Sequence, residues 1–184
     1  RRMAKVQVII RNLLAVEALG SCTYIASDKT GTLTVNEMTI GQVCLADGST
    51  YKVRGEGLDL HGDIIATDSE LENGQLRLLC LAGVLANESY LEQTDDGWVG
   101  QGDMVDVAFL VMSSKYGIDY QEARARYSEI AQIPYESEQA FCASINRFEG
   151  KTVIFVKGSV EKVLTMCSTG AGNGKIEASR IEAQ

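Results

Sequence analysis

Ser27-Asp28-Lys29-Thr30-Gly31-Thr32-Leu33-Thr34 is the stretch from which the rest of the chain is read. It follows a short apolar run, Cys22-Thr23-Tyr24-Ile25-Ala26, whose composition predicts a buried strand. A carboxylate at the end of such a strand, followed at once by Gly and Thr, stands at the carboxyl edge of a sheet, where open α/β sheets bind ligands. The loop offers hydroxyls at Thr30 and Thr32, a pliable backbone at Gly31 and a cation at Lys29. Together these groups can surround a phosphoryl group and leave Asp28 as nucleophile. The competing reading is a strand and a polar turn in which Asp28 only caps backbone N–H groups.

Composition narrows the function classes. A chain of 184 residues is enough for one sizeable core and part of another. The 17 Lys and Arg against 25 Asp and Glu give a formal net charge of −8. That balance argues against a nucleic-acid partner held through phosphate contacts, while leaving room for a few local donors to hold one nucleotide. A single Pro and a 45% hydrophobic content fit a folded domain. The five cysteines, at 22, 44, 80, 142 and 167, include no Cys-x-x-Cys pair, and His61 is the one histidine. A zinc site is therefore not expected, and reduced thiols in a cytosolic compartment are. No window reaches about 18 uncharged apolar residues, so no transmembrane helix is expected, and no signal peptide either.

Taken in order, residues 1–19 predict a helix, with Met3, Val6, Ile9, Ile10, Leu13, Leu14 and Val16 in an apolar stripe and Gly20 as its stop. Residues 39–45 and 50–53 predict two strands around the turn Asp47-Gly48-Ser49. Residues 54–70, rich in Gly and Asp, predict loop, with His61 exposed in it. Residues 71–86 predict a helix with Leu71, Leu78, Leu79, Ala82, Leu85 and Ala86 on its buried face and Cys80 as a packing residue. Residues 89–101 predict a hairpin around Asp95-Asp96-Gly97. Asp103 is a natural N-cap for a largely buried helix that ends near Gly117.

A short helix is predicted at 120–127, and a strand at 130–135 that Pro134 confines to an edge or an end. A second hairpin follows at 141–157 around Glu149-Gly150, then a helix at 160–166 and a Gly-rich tail.

Three residues from separate elements have the chemistry to hold a base. Tyr135 can stack on adenine, Asp106 can accept from its amino group, and Lys157, just ahead of Gly158-Ser159, can approach a nucleotide. Spacing alone does not connect them. Tyr135 also reads as a core tyrosine, Lys157 as a solvated strand end, and Asp106 as part of an exposed stripe with Asp103 and Ser113.

The opening octapeptide resembles the phosphorylation motif of P-type ATPases, Asp-Lys-Thr-Gly-Thr-[Leu/Ile]-Thr, and matches it at every position. These are membrane cation pumps that form an aspartyl phosphate from ATP. The segments 2–5 and 11–21 look like the link between the fourth membrane helix and the phosphorylation site in calcium and sodium/potassium-type pumps, with Ala18 where the family usually has Thr. Gly102-Asp103-Met104-Val105-Asp106-Val107-Ala108 is similar to the family's adenine-side motif. Pro134-Tyr135-Glu136-Ser137-Glu138 resembles its stacking motif, and Lys157-Gly158-Ser159-Val160-Glu161 its pocket-lysine motif.

The resemblance covers residues 1 to about 168 and implies an α+β fold. An antiparallel sheet flanked by helices forms the nucleotide-binding domain at 36–168. It is preceded at 1–35 by a helix and first strand of an incomplete α/β phosphorylation domain, and followed at 169–184 by a linker and tail. It further implies Asp28, Lys29 and Thr30 as catalytic residues and Asp106, Tyr135, Lys157 and Gly158 as the nucleotide contacts. Mg²⁺ would lie on Asp28 and the Thr30 carbonyl. ATP is the implied partner, with the rest of the phosphorylation domain, an actuator domain and membrane helices of the same pump. The implied location is the cytoplasmic face of a membrane.

The departures are Val105 for Thr, Asp106 for Glu, Gln139-Ala140 for an Arg-Lys pair, Cys142 for Met and Val160 for Pro. Losing two cations predicts weak ATP binding. The absence of Thr-Gly-Asp and Gly-Asp-Gly-x-Asn-Asp sequences predicts no turnover by this chain alone. Two alternatives stand beside this reading. One is a phosphatase of the haloacid dehalogenase-like superfamily, against which Thr30 speaks, since those enzymes commonly carry an acid–base Asp there. The other is a degenerate, non-catalytic interaction module.

Overall fold

In the computed structural model the described residues are 20–28, 37–67, 74–95 and 97–170. The chain divides into two units, residues 1–36 and 37–184. In the first, Lys29, Thr30 and the predicted helix at 1–19 lie outside the described residues. Cys22–Ala26 is not the buried strand its composition predicts. The run carries no strand, and Tyr24 and Ile25 are 94% and 88% exposed. An apolar run becomes a strand only where a neighbour takes its N–H and C=O groups, and no described strand pairs with this one.

The second unit is α+β. It holds β1 (Gln42–Cys44), β2 (Thr50–Val53), β3 (Ile64–Ala66), α1 (Gly74–Leu85), β4 (Tyr90–Thr94) and β5 (Gly97–Gln101), then α2 (Met104–Lys115), α3 (Tyr120–Arg126), β6 (Glu129–Glu136), β7 (Phe141–Phe148), β8 (Lys151–Gly158) and α4 (Val160–Met166). The strands form three antiparallel sheets, β1-β2-β3, β4-β5 and β6-β7-β8, rather than one. The turn at 46–49 is closed by Leu45 N donating to Ser49 O and by Ser49 N donating to the Asp47 carboxylate. β3 lies within the stretch predicted as loop. It is three residues long, too short to show alternation, and exists because β2 offers an edge in the register Lys52↔Ile65.

α1 and α2 pack against each other and serve two cores. On one side Leu76 and Cys80 of α1 and Met112 of α2 join Tyr51, Val53 and Ile64 of the first sheet. On the other, Leu81, Val84 and Leu85 join Val107, Leu110 and Val111, with Leu91, Tyr127 and Phe155. A helix pair used from two sides is apolar almost all round. The buried positions of α1 are accordingly Leu76, Cys80, Leu81, Gly83, Val84 and Leu85, whereas Leu78, expected inside, is 47% exposed. Gly83 permits the close approach of the two helices: a Cβ there would stand 2.6 Å from the Phe109 ring. Ser113 is fully buried, its hydroxyl donating to Cys80 O at 3.1 Å, and so belongs to no exposed stripe.

β6 is the edge strand that Pro134 requires, but it runs through the proline to Glu136. The pairing Ile133↔Ala143 is followed by Glu136↔Phe141, so Pro134-Tyr135 forms a bulge. A residue without an N–H interrupts the ladder, and the extra residue re-aims its neighbours. Among the described residues no helix is long and apolar enough to cross a membrane.

Two outcomes check this packing. Leu81→Ala should cost about 3 kcal/mol in urea unfolding, and Leu78→Ala less than about 1 kcal/mol. Comparable losses would contradict the assigned helix face. Burial pushes the Cys80 thiol from 9.0 up to about 12. The shift leaves stability unchanged below the ordinary thiol value and lowers it as the pH rises from there toward the shifted one. Iodoacetamide at pH 8 should therefore label exposed Cys22, Cys44 and Cys167 in the native chain and leave Cys80 unmodified, as read by peptide mass spectrometry.

Candidate functional site

The first turn of α2 supplies the acid of the site. Asp103 caps the helix, its carboxylate accepting from Val105 N at 2.9 Å and Asp106 N at 3.3 Å. That cap fixes the rotation of the turn and aims Asp106 toward the end of β8. There Lys157 donates to the Asp106 carboxylate, with the two side chains only 19% and 15% exposed. The Lys157 ammonium also lies 5.9 Å from the centroid of the Phe109 ring. Phe109 stands three residues after Asp106 and so faces the same way.

These groups line one cavity of about 820 Å³, within the usual roughly 300–1,000 Å³ of small-molecule sites. Tyr135 lines it from the β6 bulge and is 59% exposed. Cys142, opposite Lys157 in the β7–β8 register, lines it from β7. Burial pushes the Cys142 thiol up, opposed in part by the Lys157 charge. The loop 86–89 between α1 and β4 closes another side. Gly158 lines the cavity as well, but its missing side chain is needed within the protein, because a Cβ there would collide with the Ala140 carbonyl and Phe141.

The fold thus brings Asp106, Tyr135, Lys157 and Gly158 to one cavity. Asp28 is exposed in the other unit, and Lys29 and Thr30 lie outside the described residues. Gln139 and Ala140 do not line the cavity. They form the turn before β7, where Gln139 Nε2 donates to the Glu136 carboxylate at 2.7 Å and Ala140 has a φ of 56°. Among the described lining residues Lys157 is the one cation, against the carboxylates of Glu88, Asp103 and Asp106. Phe109 was not singled out from the sequence, though its spacing of three residues from Asp106 on one helix is a signal that could have found it. Asn87, which also lines the cavity, carries no local signal in the sequence.

Residues 75–183, more than half of the chain, match the family described as P-type ATPase, cytoplasmic domain N. The chain is 40% identical over 176 residues to cation-transporting ATPase pma1 of Synechocystis sp., covering 91% of this chain and 19% of that protein. It is 35% identical over 178 residues to calcium-transporting ATPase 1 of Lactococcus lactis, covering 96% and 18%. To calcium-transporting ATPase type 2C member 2 of Homo sapiens it is 34% identical over 183 residues, covering 95% and 19%. The chain therefore spans about a fifth of the length of these relatives. With residues 75–183 matched by that domain family, and 91% to 96% of its length aligned with such relatives, the chain belongs to the P-type cation ATPases.

Proposed function

We propose that the chain is the nucleotide-binding part, with the phosphorylation motif, of a membrane cation pump that takes phosphate from ATP on Asp28. The observation that carries this reading is the convergence of Asp106, Lys157, Phe109 and Tyr135 on one cavity. In it the adenine ring stacks on Tyr135 and its amino group donates to Asp106. Lys157 stands between the carboxylate and the Phe109 ring, so its charge is shared before any nucleotide enters. One cation against three carboxylates suits a base far better than a triphosphate, whose tail is left toward solvent.

Asp28 is the acceptor in the motif, with Lys29 and Thr30 beside it, and its exposure leaves the carboxylate open to an incoming phosphoryl group. Among the described residues no cluster of three His, Cys, Asp or Glu forms a metal cage. Mg²⁺ is commonly held by one or two carboxylates together with substrate phosphates. Asp28 and the Thr30 carbonyl would hold it, and when bound it neutralises phosphate charge. The remaining phosphorylation domain, the actuator domain and the membrane helices are the partners this reading requires, at the cytoplasmic face of a membrane. Alone, the chain binds nucleotide without sustained turnover.

Titration of the 184-residue chain should give an ATP affinity of about −4 to −6 kcal/mol, high micromolar to millimolar. ADP and AMP should fall within about threefold of ATP, because the cavity offers phosphate so little. ATP should also slow alkylation of Cys142 at pH 8.5, since the thiol lines the cavity. Nanomolar affinity, or no binding with Cys142 unprotected, would contradict the reading; the latter is the behaviour of a degenerate interaction module. In a full-length pump carrying this segment, γ-³²P-ATP followed by an acid quench should leave a hydroxylamine-sensitive label that Asp28→Asn abolishes. A label that persists in that variant would remove Asp28 from the reaction.

A further inference from the structure

We propose that Arg124 and Asn87 are positioning residues of the adenine cavity. They lock the loop between α1 and β4 onto the first turn of α2, so that Asp106 is presented at a fixed place. The inference rests on the nucleotide reading above and adds a control on base selection to it.

Asn87 is the hub. Its side-chain amide donates to Gly83 O at 2.8 Å, closing the last turn of α1, and to Asp106 O at 2.8 Å. The second bond joins the loop to the backbone of the residue that reads the base. Its Oδ1 accepts from Ser89 N at 2.9 Å. Ser89 in turn donates through its hydroxyl to Asp103 O, the N-cap of α2, at 3.2 Å. The loop therefore holds the α2 N-terminus at two carbonyls, one on either side of the first turn.

Arg124 holds the loop. It comes from α3 and does not line the adenine cavity. Its Nε donates to Val84 O at 3.2 Å, one Nη to Ser89 O at 3.0 Å and the other to Asn87 O at 2.7 Å. These carbonyls belong to the C-terminal end of α1 and the loop, where backbone acceptors lack helical partners and a cation is favoured. A planar guanidinium reaches three carbonyls at once, and a lysine ammonium does not reproduce that fork. The Tyr120 ring lies 5.3 Å from the guanidinium carbon and backs it.

A merely structural role would lower stability and leave base selection alone, whereas a positioning role changes which base is preferred. The test compares ATP with ITP, whose base lacks the amino group that Asp106 accepts from. Affinities are measured by calorimetry on the 184-residue chain, with Tm alongside. The wild type should prefer ATP by about tenfold, the scale of a hydrogen bond to a charged group. Asn87→Asp keeps the side-chain shape and removes both donors. The added carboxylate should weaken both nucleotides alike, and the loss for ATP should exceed that for ITP by about tenfold, bringing the ratio near one. Arg124→Lys should move the ratio in the same direction, and Asn87→Asp carries the test if that variant does not fold.

A lowered Tm with the ATP preference intact in both folded variants would overturn the proposal. So would a wild type that binds both nucleotides equally, which leaves the nucleotide reading standing. A wild type that binds neither overturns both.

Discussion

The ion pair between Lys157 and Asp106 is the contact on which the site depends. It joins the last residues of β8 to the first turn of α2, elements separated by 51 positions in sequence. Both side chains are more than four-fifths covered. Charges so placed are stable only as partners, and removing one leaves the other uncompensated at a cost on the order of 3 kcal/mol. The pair therefore closes the cavity floor mechanically and also sets its charge. A base that donates to Asp106 shares that carboxylate with a lysine already there.

Everything around the pair serves to hold two backbone ends in place. Asp103 fixes the helical turn, and the loop 86–89 holds it from the other side. The Pro134 bulge turns Tyr135 to the rim. Gly158 lets β8 run close against Ala140 before Ser159 starts α4. The helix pair beneath, bound into two cores, gives these ends a rigid base. A site whose walls are fixed and whose charge is nearly self-satisfied suits the pick-up and release of nucleotide proposed above. Under that proposal, weak binding follows from the composition of the lining.

Much of this was legible in the sequence, for identifiable reasons. The Glu149-Gly150 turn announces its hairpin because a two-residue turn between Phe148 and Lys151 demands residues that accept a positive φ. The caps at Asp103 and Ser159 announce their helices. That Asp106, Tyr135 and Lys157 line one cavity was suggested by motif resemblance and not by spacing, since three separate elements bring them together. The misses have physical causes as well. The strand expected at 22–26 lacks a partner among the described residues, and β3 is too short to show a period. On α1, Leu85, Ala86 and Cys80 are buried as expected, but Leu78 was misplaced because leucines at 76, 78, 79 and 81 surround a helix that faces two cores. Asn87 and Arg124 are single polar residues whose purpose exists only in three dimensions. No local pattern marks an arginine on α3 as the clamp of a loop some forty positions earlier.

The most direct measurement is the set of intermolecular NOEs from the adenine protons of ATP to a ¹³C-labelled chain at saturating nucleotide. The H2 and H8 protons should show NOEs to the Tyr135 ring and the Phe109 side chain, both of which line the cavity. NOEs confined to side chains outside that cavity would place the nucleotide elsewhere and contradict the central claim.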